Sequence, residues 1–285
     1  MNYLDALARA RQVVEAETEA INPVCRTQLL VHPARAGQSI VFFHGLTSCP
    51  RQFEPLGQIL FERGWNVYIP RMPFHGYADK MTADLARLRK RDLIAWAADS
   101  AEIATGLGER VVVAGLSVGG ACAAWVAQNV AAIDRALVIS PLLRTPAVPT
   151  RFTRPAAALF SLLPNQWRWW DPVRKDARSA PDFSYPRLAT RAVAAALGLS
   201  VNVMDSAHQR AAAAKRITLV LNENDRVVDN AAIRELHDAW IEHGTDTRLH
   251  VFEREAGLTH DLIGAEHPEQ HVDVVYPVIL RLIEG

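Results

Sequence analysis

The sequence predicts an α/β protein: a mostly parallel central sheet with helices on both faces, interrupted by one helical insertion. Three observations carry this. Short apolar runs alternate with helix-compatible stretches from Ser39 onward. The runs are apolar throughout, as parallel strands covered on both faces must be. The alternation stops at about Leu142 and resumes at Ile217. The chain has 285 residues, 49 % of them hydrophobic, enough for one α/β core plus an insertion.

In order, Leu4–Ala20 reads as a helix without an assignable role, and Cys25–Val31 as a weak strand. Ser39–Phe43 is a clear strand running into His44-Gly45-Leu46-Thr47. A helix over Gln52–Arg63 ends at Gly64, where helices favour glycine, and Asn66–Ile69 is the next strand. Pro70–Asp79 is a loop holding Pro73-Phe74-His75-Gly76, followed by a long helix over Thr82–Thr105. Arg110–Ala114 is a strand, Val118–Ala131 a helix and Arg135–Ser140 a strand.

Residues 141–214 are expected to form a helical cap between the core segments 1–140 and 215–285. From Leu142 on, this stretch holds seven prolines, Pro149 among them, and shows no convincing buried strand. Helical patches are expected at Pro155–Leu163, Leu188–Leu199 and Val203–Ala213. Its apolar side chains (Phe152, Leu159, Phe160, Leu162, Leu163 and the tryptophans) suit either the roof of an apolar pocket or packing of the cap on the core. The strand Ile217–Leu221, a helix over Asn230–His243, the strand Thr247–Phe252 and a helix over Pro268–Ile283 complete the chain.

The chemistry is concentrated at Gly115-Leu116-Ser117-Val118-Gly119, between the run Val111–Ala114 and a small-residue helix. A serine on so tight a strand-to-helix turn is pushed toward unusual backbone angles, and the flanking glycines let neighbouring backbone approach. Its hydroxyl stands at a helix N-terminus, where free N–H groups favour negative charge, as a serine nucleophile requires. A base should follow late in the chain, and His260 lies in the loop after the last strand. His243, His250, His267 and His271 read as ordinary surface or core histidines. The orienting carboxylate is expected after the preceding strand. Asp225 suits this, with Glu223 and Asp229 as rivals; Asp229 reads better as a helix N-cap. For an oxyanion, the expected backbone donors are the N–H groups of Leu46 and Val118, with Gly45 letting the loop pass close to the substrate carbonyl. His44 reads as a structural hydrogen-bonding residue, His75 as one that shapes its loop, and Phe53 and Phe74 as weak candidates for the substrate pocket.

The order Ser117, Asp225, His260 on alternating strands and helices resembles the α/β-hydrolase fold. The His44-Gly45-Leu46-Thr47 and Pro-x-His-Gly loops, the Gly-x-Ser-x-Gly turn and Asp225-x-Val-Val are similar to those of bacterial carboxylesterases and monoacylglycerol-lipase-like enzymes. The resemblance spans residues 39–140 and 215–283 and is weak over the insertion. It departs at Thr259, where many relatives have glycine, and at Cys122, where small residues are usual. It implies a carboxylic ester hydrolase acting through a Ser-His-Asp triad and an acyl-enzyme, without a metal or other cofactor. The expected substrate is a small ester with a hydrophobic acyl or aromatic group.

The same residues serve amidases, carbon–carbon bond hydrolases and acyltransferases. Epoxide hydrolases and haloalkane dehalogenases are disfavoured, because they place Asp where Ser117 stands. A non-catalytic binding module is a further alternative; it would predict a damaged set of three residues. The charge balance, 31 Lys and Arg against 31 Asp and Glu, argues against a nucleic-acid partner. No stretch predicts a membrane span or signal core, so a cytoplasmic protein is expected, with a homodimer or a lipid contact through the cap tryptophans left open. Cys25, Cys49 and Cys122 are expected to form neither a disulfide framework nor a metal pattern.

Overall fold

The computed structural model describes the whole chain except residues 147, 149, 177–180 and 268. The expectations for Pro149 and for Pro268 itself fall outside the described residues; the last helix, expected from Pro268, starts at Val272. Among the described residues the main sheet has seven strands in the order β1-β3-β2-β4-β5-β8-β9. These are β1 (Gln28–Leu30), β2 (Ala36–Phe43), β3 (Asn66–Ile69), β4 (Gly108–Leu116), β5 (Arg135–Ile139), β8 (Arg216–Asn222) and β9 (Thr247–Phe252). Only β1 runs antiparallel, against β3; every other neighbouring pair is parallel. Parallel pairing needs crossovers, and the helices supply them: α2 (Glu54–Glu62), α3 (Lys90–Leu107), α4 (Val118–Asn129), α7 (Asn230–Glu242) and α8 (Val272–Glu284), with α1 (Tyr3–Glu15) laid against α3.

The strands bury both faces, which is why they read as unbroken apolar runs. In β2, Val41 and Phe43 join one core layer with α3 and α4, while Ile40 and Phe42 join the opposite layer with α2 and α8. Trp240 is the largest fully buried side chain, and its indole N–H donates to Gln128 Oε1 at 2.6 Å, so neither polar group is left unpaired.

Several elements differ from the sequence reading. The helix expected over Thr82–Thr105 is a short 3-10 turn, Asp84–Arg87, then α3. The break is at Leu88 and Arg89, both extended. It lets Leu85 and Leu88 each reach the core, and Asp92 caps α3 by accepting from the Arg89 N–H at 2.9 Å. The two patches expected at Leu188–Leu199 and Val203–Ala213 are one helix, α6 (Thr190–Ala207). Ser200 does not interrupt it, because its hydroxyl finds the carbonyls of Ala196 and Leu142. The insertion also holds α5 (Thr153–Leu162) and a two-stranded antiparallel ribbon, β6 (Trp167–Trp169) with β7 (Arg187–Ala189). The ribbon is only half-buried, so it carried no apolar strand signal. In the insertion, Phe152, Leu159, Phe160, Leu162, Leu163 and Trp170 are exposed rather than packed on the core.

The cysteine reading is corrected by the structure. Cys25 and Cys49 form a disulfide with a Cα–Cα distance of 5.2 Å, and Cys122 is free and buried. The bonded residues are 24 apart in sequence and meet only because a 3-10 turn, Pro23–Cys25, docks beside the loop after β2. No helix among the described residues is long and apolar enough to cross a membrane.

Candidate active site

Parallel strands bring their C-terminal ends to one edge of the sheet, the usual place for a site in such folds. Ser117 follows β4, the Asp225 loop follows β8 and the His260 loop follows β9. Backbone bonds stitch these ends together: Ser117 N–H donates to the Ile139 carbonyl, and Ser140 N–H to that of Val220.

Ser117 has φ 59° and ψ −116°, a conformation that costs a non-glycine residue energy and persists only where the surroundings impose it. The imposition is legible in Gly119. A Cβ there would land on the Phe43 carbonyl and lie 2.6 Å from the His44 carbonyl oxygen. A Cβ on Gly115 would meet Gly119 in the same way. Strand, turn and helix are therefore compressed as far as backbone allows, leaving Ser117 at the N-cap of α4.

Asp225 and His260 are joined. His260 Nδ1 donates to Asp225 Oδ2 at 2.6 Å, and the Asp225 side chain has no exposed surface. The other carboxylate oxygen accepts from Val227 N–H at 2.9 Å and Val228 N–H at 3.2 Å. Burial pushes the Asp225 carboxyl up, but the His260 hydrogen bond and charge and these two amides outweigh it, so its pKa lies below the ordinary value. An ionised Asp225 fixes the neutral imidazole as the Nδ1–H tautomer, with Nε2 as its acceptor. Asp229 instead caps α7, accepting from Ala231 N–H, and pairs with Arg144 at 3.2 Å. Glu223 faces Arg234 at 3.7 Å.

Across the site, the loop after β2 turns sharply at Thr47, φ 68°. Its Gly45 N–H is taken by Gln52 Oε1 at 2.8 Å and its Ser48 N–H by the Gly45 carbonyl. No described protein atom accepts from the Leu46 N–H, and Val118 is the first residue of α4, where helical amides lack intrahelical acceptors. The insertion holds this loop. Trp170 Nε1 donates to Thr47 Oγ1 at 3.1 Å, and Tyr185 N–H donates to the Thr47 carbonyl at 2.8 Å. A Cβ at Gly45 would make only ordinary contacts with protein, so packing alone does not demand glycine there.

His44 is fully buried. Its Nε2 accepts from Met72 N–H at 2.9 Å and its Nδ1 bonds the Gly45 carbonyl at 3.0 Å, so it ties the loop after β2 to the one after β3. Burial, with His75 and Arg71 nearby, holds it well below the usual imidazole range. His75 lies 5.5 Å from it, ring to ring, with Nδ1 on the Pro73 carbonyl, and burial brings its pKa down to about 4. Phe74 lies under the Arg87 guanidinium, and its carbonyl accepts from the Tyr185 hydroxyl. Phe53 is fully buried and stacked on Phe42 in the layer between the sheet, α2 and α8, so it has no surface to offer a ligand. Its place on that face follows from the register of β2, which the sequence does not reveal.

Two residues of the site were missed in the sequence. Gln52 bridges the two halves: Oε1 takes Gly45 N–H, and Nε2 donates to Asp261 Oδ2 at 2.9 Å, beside His260. Asn222, at the end of β8, donates to the carbonyls of Leu258 and Thr259 and so holds the His260 loop. Both are buried and polar, but a lone Gln or Asn in sequence carries no signal of burial. Among the described residues no group of His, Cys, Asp and Glu has the arrangement of a metal site.

The chain matches the Alpha/beta hydrolase family over residues 40–274 and belongs to it. In structure it is similar to several lipolytic enzymes. One comes from work on LipS and LipT, two metagenome-derived lipolytic enzymes (TM-score 0.68, 18 % identity, covering 93 % of this chain and 99 % of the other). Another is the monoacylglycerol lipase of Paleococcus ferrophilus (0.67, 18 %, 90 % and 98 %). A third is the monoglyceride lipase of Saccharomyces cerevisiae, a soluble variant with a substrate analogue (0.67, 14 %, 91 % and 90 %). At these identities the likeness is one of fold. Comparison with curated proteins found no match.

Proposed function

We propose that the protein is a serine hydrolase of carboxylic esters, with Ser117 as nucleophile, His260 as base and Asp225 as its orienting carboxylate. The observation that carries the reading is the 2.6 Å bond from His260 Nδ1 to a buried, ionised Asp225, at the same sheet edge as the strained Ser117. The structural relatives, lipases among them, support it.

Ser117 Oγ attacks the acyl carbon while His260 Nε2 takes its proton. The carbonyl oxygen becomes an oxyanion held by the N–H groups of Leu46 and Val118. As the bond to the alcohol breaks, His260 returns the proton to the leaving oxygen. Water then attacks the acyl-enzyme, giving its proton to His260, and the carboxylic acid leaves as Ser117 recovers its hydrogen. No step needs a metal or cofactor.

Residues 141–214 act as a cap whose Trp170 and Tyr185 fix the oxyanion loop, and the substrate is a small ester with an apolar acyl or aromatic group. The exposed cap side chains suit a homodimer contact, which light scattering would reveal. The bonded Cys25–Cys49 pair is the form favoured in oxidising compartments.

The test is hydrolysis of p-nitrophenyl acetate, butyrate, octanoate and palmitate by wild type and Ser117→Ala. An active wild type and a variant slower by about 10⁴-fold or more are expected. Labelling of Ser117 by a fluorophosphonate without ester turnover would redirect the reading to amides or carbon–carbon bonds. Failure of both would sink catalysis by Ser117.

A further inference from the structure

A strongly basic concavity lies away from Ser117. A cavity of about 530 Å³ opens between the start of α3, α5 and α6, and none of Ser117, Asp225 and His260 lines it. Its size falls in the range of small-molecule sites, about 300–1,000 Å³. Five cations line it: Arg89, Lys90 and Arg91 from the α3 end, Arg154 from α5 and Arg191 from α6. The rest of its lining is mostly small and apolar, with Ala157, Ala194, Gly198 and Val201 (the floor) beside the polar Ser161 and Asn202.

The charge is poorly compensated. Arg154 is paired with Asp205, and Arg91 has Asp92 at 3.7 Å. Among the described residues no carboxylate pairs with Arg89, Lys90 or Arg191. Arg89 and Arg191 donate instead to backbone carbonyls, those of Ala86 and Leu88 and that of Leu163, and Lys90 reaches the Asn202 amide oxygen at 3.5 Å. Neutral acceptors orient these groups without cancelling their charge. The setting adds to the field: residues 141–214 carry ten Lys and Arg against four Asp and Glu, in a chain that is neutral as a whole. An apolar floor under unpaired cations complements a ligand with one anionic head and an apolar body.

We propose that this groove binds a single anionic amphiphile of the fatty-acid class, its carboxylate among Lys90, Arg91 and Arg191 and its chain along the Ala157–Gly198 floor. The site is separate from the proposed chemistry at Ser117 and does not depend on that reading. Gly198 offers a clean test. A Cβ there would meet only the flexible Lys90 side chain, at 3.4 Å, so Gly198→Leu fills the groove while removing a glycine from a helix interior, which favours folding.

The experiment is calorimetric titration of the full chain with decanoate below its micelle concentration, at low and at moderate salt. The proteins are wild type, Gly198→Leu and Lys90→Glu/Arg191→Glu, each checked by circular dichroism and Tm. Decanoate is expected to bind wild type in a salt-dependent way and to bind each folded variant about ten-fold or more weakly. Decanol and inorganic phosphate, each lacking half of the ligand's chemistry, are expected to bind more weakly than decanoate by a similar factor. Equal decanoate affinity in wild type and both variants, or no binding to wild type, would overturn the proposal. Phosphate binding as tightly as decanoate would also overturn it, since the floor would then contribute nothing. Binding to phosphatidylglycerol vesicles without binding of monomeric decanoate would replace it with a bilayer contact.

Discussion

Acid should destabilise this protein through a histidine that the proposed chemistry does not use. His75 is fully buried and donates Nδ1–H to the Pro73 carbonyl, while its Nε2 has no partner. Protonation would add a second N–H with nothing to accept it, beside buried His44 and near Arg71. Its pKa is accordingly brought down to about 4 from an ordinary 6.5. The folded-state pKa is the lower one, so between these values the unfolded chain binds more protons. Stability from His75 is then full above about pH 6.5 and falls as pH drops toward about 4, below which the loss levels off. At about pH 4.5 the loss amounts to roughly 2 kcal/mol relative to neutral pH. The check is urea unfolding of wild type and His75→Asn at both pH values; Asn keeps a donor for the Pro73 carbonyl. Wild type should lose about 2 kcal/mol more than the variant. Equal losses would refute the argument, since the acid sensitivity would then come from other groups.

Gly119→Ala would press a methyl group into the Phe43 carbonyl, and should cost about 1–3 kcal/mol in denaturant unfolding while lowering any activity of Ser117. Replacing Cys25 and Cys49 together by Ala should lower stability by about 3 kcal/mol, read as a fall in Tm. Thiol titration of the unreduced, unfolded wild type should find Cys122 alone; three thiols would contradict the bridge. Gln52→Ala frees the Gly45 N–H and Asp261 together, and should reduce kcat for an ester by about ten-fold with a smaller change in KM. An unchanged kcat would mean that Gln52 is only structural.

The sequence by itself determined the order and type of the main elements, because parallel strands buried on both faces leave unbroken apolar runs such as Val111–Ala114 and Ile217–Leu221. It also marked the Ser117 turn, since Gly115 and Gly119 record a backbone clash that only glycine avoids. The placing of Asp225 and His260 in the loops after β8 and β9 was legible, and so was Asp229 as a cap from its place before α7. Only the tertiary structure decided what depends on non-local contact. Cys25 and Cys49 pair because two loops dock, and neither side of that contact is written in local spacing. The face of β2 sent Phe53 into the core against Phe42 rather than toward a pocket. Gln52 and Asn222 join the site because distant carbonyls and amides need partners once buried, and a single polar residue in a sequence does not say whether water will reach it.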